Sequence, residues 1–233
     1  MNLQLEHVLI WYGVFLFSTT CHEASHAWAA LKLGDDTAAV GGQVTLNPIP
    51  HIKRAFVGMV CVPLLSLFAL GWVIGWASAP FNPEWARQFP RRSALMALAG
   101  PAANLLLAIA AVWLIRIGYE WKYFAAPQSA SAAHLAIGFN PGPADLVGKI
   151  LSVFVSLNLL LFGFNLLPFP PLDGSFVPLL LLDGAAAESY RGLIRTPLLA
   201  YLGVVVASKL VAPLLPALIT MVANVIYPSV HYV

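Results

Sequence analysis

The sequence predicts an all-α polytopic membrane protein, and its composition and its apolar segments support that class. Of the 233 residues, 60% are hydrophobic and 9% are charged, whereas a soluble domain carries about 25% charged residues. The mean hydropathy is +0.81. Apolar segments of about 20 residues, the length that crosses a bilayer, recur along the chain. We expect one integral-membrane domain over 1–233, with about five to six transmembrane or re-entrant helices and a small membrane-associated β-hairpin.

Apolar runs and helix breakers divide the chain into successive segments. The expected elements are a first helix at 6–32, a β-hairpin at 38–48, a possible re-entrant segment at 55–77, a core helix at 94–116, a helix with a broken end at 146–174, and C-terminal helices at 195–228. Gly34 is a natural stop for the first helix. Gly41 and Gly42, followed by the alternating Val44 and Leu46, favour the hairpin.

Charge and cysteine content exclude other classes of protein. The net charge of +2 is too small, and its charges too dispersed, to indicate nucleic-acid binding. Cys21 and Cys61 lie in apolar runs and lack CxxC spacing, so they do not indicate a cysteine-rich zinc site. No basic region precedes Cys21, and we therefore interpret the first segment as a retained helix rather than a signal peptide.

The clearest chemical motif is His22-Glu23-Ala24-Ser25-His26, within the first apolar segment. Residues four apart share one face of an α-helix, so both imidazoles can point at a common Zn²⁺ ion. Glu23 is offset by about 100° and would reach the metal-bound water instead. The alternative is that the histidines form interhelical hydrogen bonds and Glu23 is a buried carboxylic acid. Burying these groups in lipid without partners is costly, which favours the metal site.

A third zinc ligand must come from elsewhere in the chain. A catalytic zinc usually takes three protein ligands and keeps one position open. Asp173 is the best candidate because it follows an apolar span, on a backbone that Pro168, Pro170 and Pro171 exclude from a continuous helix. The alternative role for Asp173 is to cap a helix that starts at Gly174.

Two motifs in this order resemble the site-2 protease family of intramembrane zinc metalloproteases. The first is HExxH at 22–26 in a spanning helix, and the second is the Asn…Pro…Pro…Asp-Gly pattern at 165–174. The run 99–104, Ala-Gly-Pro-Ala-Ala-Asn, also matches the start of the family's middle core helix. The resemblance covers about 15–175. The compact length resembles minimal bacterial or archaeal members without a PDZ or CBS domain.

The resemblance implies a function and a role for each motif residue. One Zn²⁺ ion would be bound by His22, His26 and Asp173. Glu23 would act as general base and then as proton donor to the leaving amine. Asn165 would hold the substrate or stabilise the developing oxyanion, although capping of the broken helix end is an alternative. The implied activity is that of a zinc-dependent endopeptidase that cleaves transmembrane segments, as in regulated intramembrane proteolysis.

The resemblance also implies partners. These are the lipid bilayer and a transmembrane protein substrate, in this family often an anti-sigma factor or a signal peptide remnant. Residues 40–46 would present a β edge to the unwound substrate. The sequence leaves open whether the chain forms a homodimer. The alternative function is a non-proteolytic metal-binding protein or a transporter on the same fold. A transporter would be expected to carry ionisable residues at several depths along its path through the membrane. In this chain, the ionisable residues of the apolar spans are concentrated in one site.

The segment 55–77 departs from the family pattern, in which the three core helices are consecutive. If it crossed the membrane, Arg87 and Arg92 would lie on the face opposite Lys53. A turn back near 63–75 removes this conflict. The positive-inside rule then places these basic residues and the zinc end of the first helix in the cytoplasm. We therefore expect a multi-pass protein of the inner (cytoplasmic) membrane with its active site toward the cytoplasmic face.

Overall fold

Helices make up most of the regular structure in the computed structural model, which describes residues 2–140, 142–211 and 213–232. The α-helices are α1 (Asn2–Leu33), α2 (Thr37–Val40), α3 (Pro48–Arg54), α4 (Val62–Leu70), α5 (Pro83–Gln88), α6 (Pro90–Glu120), α7 (Pro143–Asn165), α8 (Gly184–Ile194), α9 (Pro197–Val211) and α10 (Leu214–Ile226). A π-helix at Val57–Cys61 continues into α4, and a 3-10 helix spans Asp173–Leu180. β1 (Phe124–Ala125) pairs antiparallel with β2 (Ile137–Gly138). The expected all-α class with a small sheet is confirmed.

Several of these helices are suited to a bilayer. Among the described residues, α6 and α7 are long and apolar enough to cross a membrane by length and composition. Two bent pairs raise the number to four if each is one span: α3 with the helix 57–70, bent by 111°, and α8 with α9, bent by 73°. Helix α1 has 32 residues and is therefore about 48 Å long, but it is not among the candidates selected by composition. The chain is thus a multi-pass membrane protein.

Helix α6 lies at the centre of the fold, where it packs against α1, α7 and the 3-10 helix. Small side chains on α6 let these neighbours approach closely. The small residues buried on it are Ser93, Ala94, Ala97, Gly100, Ala108, Ala111 and Gly118. As a result, polar side chains from three parts of the chain meet on one face of α6.

The carboxyl end of α1 is tied to the segment that begins α6. Gly34 adopts a positive φ of +103°, which ends the helix. The carbonyl oxygen of Leu33 accepts hydrogen bonds from Trp85 Nε1 at 3.3 Å and from Arg92 Nη1 at 3.1 Å. Because these bonds satisfy a carbonyl that the helix itself leaves free, they fix α1 against α5 and α6.

No strand forms at 38–48, so the predicted position of the β-hairpin is wrong. Asp35 Oδ1 accepts a hydrogen bond from the backbone N–H of Thr37 at 3.0 Å, which favours the helical turn of α2. Asn47 then caps α3. These local polar bonds outweigh a short alternation of apolar residues. The β edge expected at 40–46 is therefore absent, and the small sheet lies between α6 and α7.

The segment between α3 and α5 reverses direction at Gly71, which has a φ of +68°. Gly71 lies near the amino end of α1, where its carbonyl oxygen accepts a hydrogen bond from His7 Nε2 at 3.0 Å. Extended backbone then runs back along α1. Arg54 Nε donates to the carbonyl oxygen of Ser78 at 3.0 Å. The beginning and the end of this segment therefore lie side by side.

Candidate metal centre

His22, His26 and Asp173 form the one group of metal-ligating side chains found among the described residues. The two Nε2 atoms are 3.0 Å apart. Asp173 Oδ2 lies 3.1 Å from His22 Nε2, and Asp173 Oδ1 lies 3.4 Å from His26 Nε2. Ligands of a tetrahedral zinc with bonds of about 2.0–2.1 Å are about 3.3 Å from one another. The three atoms therefore have the spacing of a zinc ligand set.

The hydrogen bonds around the histidines direct their Nε2 lone pairs into this cluster. His26 Nδ1 lies 2.8 Å from the carbonyl oxygen of Met96, which can only accept, so Nδ1 donates. His22 Nδ1 lies 2.6 Å from Asn104 Oδ1 and donates in the same way. Asp173 Oδ2 is buried and has no hydrogen-bond partner among the described residues. Facing lone pairs without a donor need a cation between them, so these residues fit a bound zinc ion.

Gly100 of α6 faces the same cluster. A Cβ atom built on Gly100 would overlap with Nε2 of both His22 and His26. Only glycine therefore leaves the space in front of the two ligand atoms open. Close packing of the helices would require only a small residue at position 100. The space in front of the ligand atoms requires glycine.

Asp173 reaches the cluster because the chain breaks and turns back after α7. The proline-rich stretch 168–171 follows that helix and ends it. Gly174 then lies against the carboxyl end of α7, where a Cβ would overlap with the carbonyl oxygen of Leu166. Leu172 is the N-cap of the 3-10 helix. Asp173 therefore does not serve as the helix cap that the sequence left open as an alternative.

Glu23 lies beside the cluster on α1 and is only 5% exposed. Its buried Oε2 has no hydrogen-bond partner among the described residues. A buried carboxylate without a protein partner is costly. The free Oε2 atom can accept a hydrogen bond from a water molecule or a substrate in the site.

Asn165 does not contact the three ligand residues through a hydrogen bond. Its Nδ2 donates to the carbonyl oxygen of Leu161 at 3.0 Å, one turn earlier on α7. This bond agrees with the alternative in which Asn165 stabilises the end of the broken helix. The second N–H group on Nδ2 is not used by this bond and can donate to a substrate.

Polar residues that the sequence motifs did not connect with the ligands lie behind His22. Asn104 Nδ2 donates to Asn158 Oδ1 at 2.8 Å, and Asn158 Nδ2 donates to Ser18 Oγ at 2.9 Å. All three side chains are fully buried. An asparagine in the middle of an apolar span is a signal for a functional position, and Asn158 could have been found in that way.

Known protein families and curated proteins show similarity to most of this chain. The model of peptidase family M50 matches residues 8–206. A Bacillus subtilis protein named "Putative zinc metalloprotease YwhC" is 34% identical over 160 residues, which cover 68% of this chain and 63% of the relative. Proteins named "Putative zinc metalloprotease Rip2" from Mycolicibacterium smegmatis and Mycobacterium tuberculosis are 30% identical over 173 residues and 33% identical over 174 residues.

The chain is similar to a large part of these relatives, but not to all of their length. The two Rip2 matches cover 71% of this chain and 57% of each relative. The chain thus spans about three fifths of the curated relatives it matches. No solved structure gives a significant match. The family match runs through α1, α6, α7 and the 3-10 helix that build the metal centre, and the chain therefore belongs to peptidase family M50, the site-2 protease family.

Proposed function

We propose that this protein is a zinc-dependent endopeptidase that cleaves transmembrane segments of other membrane proteins. The observation that carries the proposal is the triangle of His22, His26 and Asp173 with Glu23 beside it, buried among apolar helices. A metal that only stabilises the fold is usually closed by four protein ligands. The described residues supply three, which is the number that leaves a position for water or substrate.

Glu23 is the group that we assign to proton transfer. Bound zinc supplies Lewis acidity, which makes water a nucleophile near neutral pH and polarises the scissile carbonyl. Glu23 takes the proton of that water and returns it to the leaving amine nitrogen. Because Oε2 has no hydrogen-bond partner in the described part of the chain, Glu23 can hold this proton without first breaking a hydrogen bond.

Asn165 is the candidate for contacting the substrate. Its amide can donate a hydrogen bond to the scissile carbonyl or to the oxyanion that develops there. The bond to the Leu161 carbonyl uses one of the two N–H groups on Nδ2. The second N–H group is therefore the one that we assign to the substrate.

The extended backbone at 73–79 is the route that we propose for the substrate. Ile74 N–H donates to Ser66 Oγ at 2.9 Å, and Trp76 N–H donates to the Gly58 carbonyl at 3.1 Å. No other backbone N–H of this stretch has a partner among the described residues. Lipid cannot satisfy such groups. An unwound substrate segment can do so by adding as a strand.

The position of this extended backbone along α1 supports the same route. The ring of Trp72 packs against that of Trp11 with centroids 4.7 Å apart, and a Cβ on Gly75 would overlap with Phe15. Phe15 and His22 are seven residues apart and therefore share one stripe of the helix. The extended segment thus runs along the stripe of α1 that leads to the zinc ligands.

Cross-linking tests this route. In a Glu23→Gln background, a cysteine that replaces Ser78 is expected to form disulfides with cysteines at every second position of a transmembrane substrate. This pattern is expected because alternate side chains of a strand point to the same face. Leu65, which is 68% exposed on α4, gives the matched control position and is expected to react weakly. Equal cross-linking at both positions would contradict strand addition at 73–79.

The proposed setting is the inner membrane of a bacterial or archaeal cell, with the metal centre toward the cytoplasm. His22 and His26 lie in the carboxyl-terminal half of α1, whose last turn carries Lys32. Arg92 lies at the same end of the fold, bonded to Leu33. Basic residues mark the cytoplasmic side. The substrate class is a membrane-bound regulator, such as an anti-sigma factor, or a signal peptide remnant.

The decisive experiment compares the intact protein with Glu23→Gln in detergent on a panel of transmembrane substrates. We expect cleavage by the intact protein and none by the variant, while both bind zinc equally. Equal cleavage by both proteins would exclude Glu23 as the base. Zinc binding without cleavage of any substrate would instead favour the non-proteolytic metal-binding protein or transporter.

A further inference from the structure

A chain of hydrogen bonds between buried side chains links α7 to the metal centre through α6. It runs from Asn158 to Asn104 over 2.8 Å and from Asn104 to His22 Nδ1 over 2.6 Å. Asn158 also reaches Ser18 on α1, one turn before His22, over 2.9 Å. These side chains, which we call the polar relay, belong to the three helices that surround the site.

One backbone carbonyl sets the direction of every bond in the polar relay. Asn158 Nδ2 lies 2.9 Å from the carbonyl oxygen of Phe154, which can only accept. Asn158 therefore turns its oxygen toward Asn104, and Asn104 must donate to it. The oxygen of Asn104 is then the atom that faces His22 Nδ1. A proton on Nδ1 leaves the lone pair on Nε2, the atom that lies beside Asp173.

We propose that Asn158 and Asn104 are positioning residues that fix the tautomer and the ring orientation of His22 for zinc. Neither residue touches the substrate or the reacting atoms. The inference rests on the zinc site of the proposed function and does not depend on its proteolytic step. It assigns a purpose to the buried Asn158, because only the side chain of Asn104 stands between Asn158 and the ligand residue His22.

Neighbouring hydroxyl groups show that burial alone does not create such a relay. Ser156, two residues before Asn158 on α7, and Thr19, next to Ser18 on α1, are both buried. Their hydroxyl oxygens have no hydrogen-bond partner among the described residues. These two residues therefore supply matched controls that remove a buried hydroxyl from the same helices without changing the relay.

Zinc affinity, measured by competition with a chelating dye, is the first test. Asn158→Leu frees Asn104 to rotate its amide, so that an N–H group can face His22 Nδ1 and favour the wrong tautomer. We expect a loss of about 10- to 100-fold in zinc affinity, the usual effect of losing a hydrogen-bond partner of a ligand. Asn104→Leu is expected to give a loss of the same order, whereas Ser156→Ala and Thr19→Val are expected to bind zinc like the unchanged protein.

A conservative variant separates positioning from packing. Asn104→Asp keeps an oxygen acceptor for His22 Nδ1 but removes the donor to Asn158 Oδ1. We therefore expect it to retain more zinc affinity than Asn104→Leu does. Cobalt-substituted protein gives a second signal, since its visible absorption bands report ligand geometry. We expect altered bands in Asn158→Leu and unchanged bands in Ser156→Ala.

The same measurements can overturn the proposal. If Asn158→Leu lowers the unfolding temperature of the zinc-free protein but keeps zinc affinity and the cobalt bands, the relay serves packing alone. If Asn104→Asp loses zinc as completely as Asn104→Leu, the acceptor oxygen is not what matters. A failure to cleave any substrate would count against the proposed protease and would leave these binding results to decide the relay by themselves.

Discussion

Gly100 of α6 faces His26 so closely that a Cβ atom would overlap with its Nε2. Gly100 is one of the buried residues of α6. A protein that only packed two helices could use alanine at this position, since alanine is also common at close helix contacts. The space in front of the ligand atoms is therefore a specific requirement of the metal centre.

We predict that Gly100→Ala abolishes high-affinity zinc binding, because its methyl group occupies the space of the ion. Zinc content after dialysis and metal analysis measures this. Gly163→Ala is the control, since nothing lies within 4 Å of a Cβ at that position on α7. Zinc retained in Gly100→Ala at the level of Gly163→Ala would show that the ion does not lie between His22 and His26.

Asp173→Ala is predicted to lower zinc affinity more than the loss of either asparagine of the polar relay. In the proposed site Asp173 would supply a ligand atom, whereas the asparagines would only orient one. Asp36→Ala is the control, because Asp36 is an exposed carboxylate without a side-chain capping bond. Equal zinc affinity in both variants would remove Asp173 from the ligand set.

The cluster of His22, His26 and Asp173 was predictable because the position of each residue depends largely on local sequence. Helical periodicity alone places His22 and His26 on one face, and prolines alone break the helix before Asp173. The polar relay was not predictable, because it depends on which faces of α6 and α7 meet. That choice is made by tertiary packing.

The position of the small sheet was predicted wrongly. Its predicted place rested on the alternation of Val44 and Leu46, which is a weak signal over so short a stretch. The hydrogen bond that Asp35 Oδ1 accepts from the backbone N–H of Thr37 favours a helical turn there instead. The pairing of Phe124 with Gly138 joins residues on either side of a long loop, which no local pattern indicates.

Removal of zinc is predicted to destabilise the fold. Without the ion, the lone pairs of His22, His26 and Asp173 face one another within 3.4 Å. A ligand present at about 1,000 times its dissociation constant stabilises the folded state by about 4 kcal/mol. We therefore expect a chelator to lower the unfolding temperature in detergent. The chelator is expected to have no such effect on Asp173→Ala, and an equal shift in both proteins would point to a different metal site.

The segment between α3 and α5 is predicted to return to the side of the membrane from which it starts. Arg54 bonds to the Ser78 carbonyl at 3.0 Å, and Asn82 N–H donates to Asp35 Oδ2 at 2.8 Å. A membrane-impermeant thiol reagent tests this in a Cys61→Ser background, since Cys21 is buried. Cysteines at Lys53 and Ser78 are expected to react only in inverted membrane vesicles.

Ser129, in the loop between α6 and α7, provides the opposite control for this experiment. Helix α6 begins beside Leu33, to which Arg92 is bonded, and ends at the far end of the fold. A cysteine at Ser129 is therefore expected to react from outside intact cells. If the cysteine at Ser78 reacts together with the one at Ser129, the segment crosses the membrane. In that case α6 would begin on the outer face, and the metal centre could not lie toward the cytoplasm.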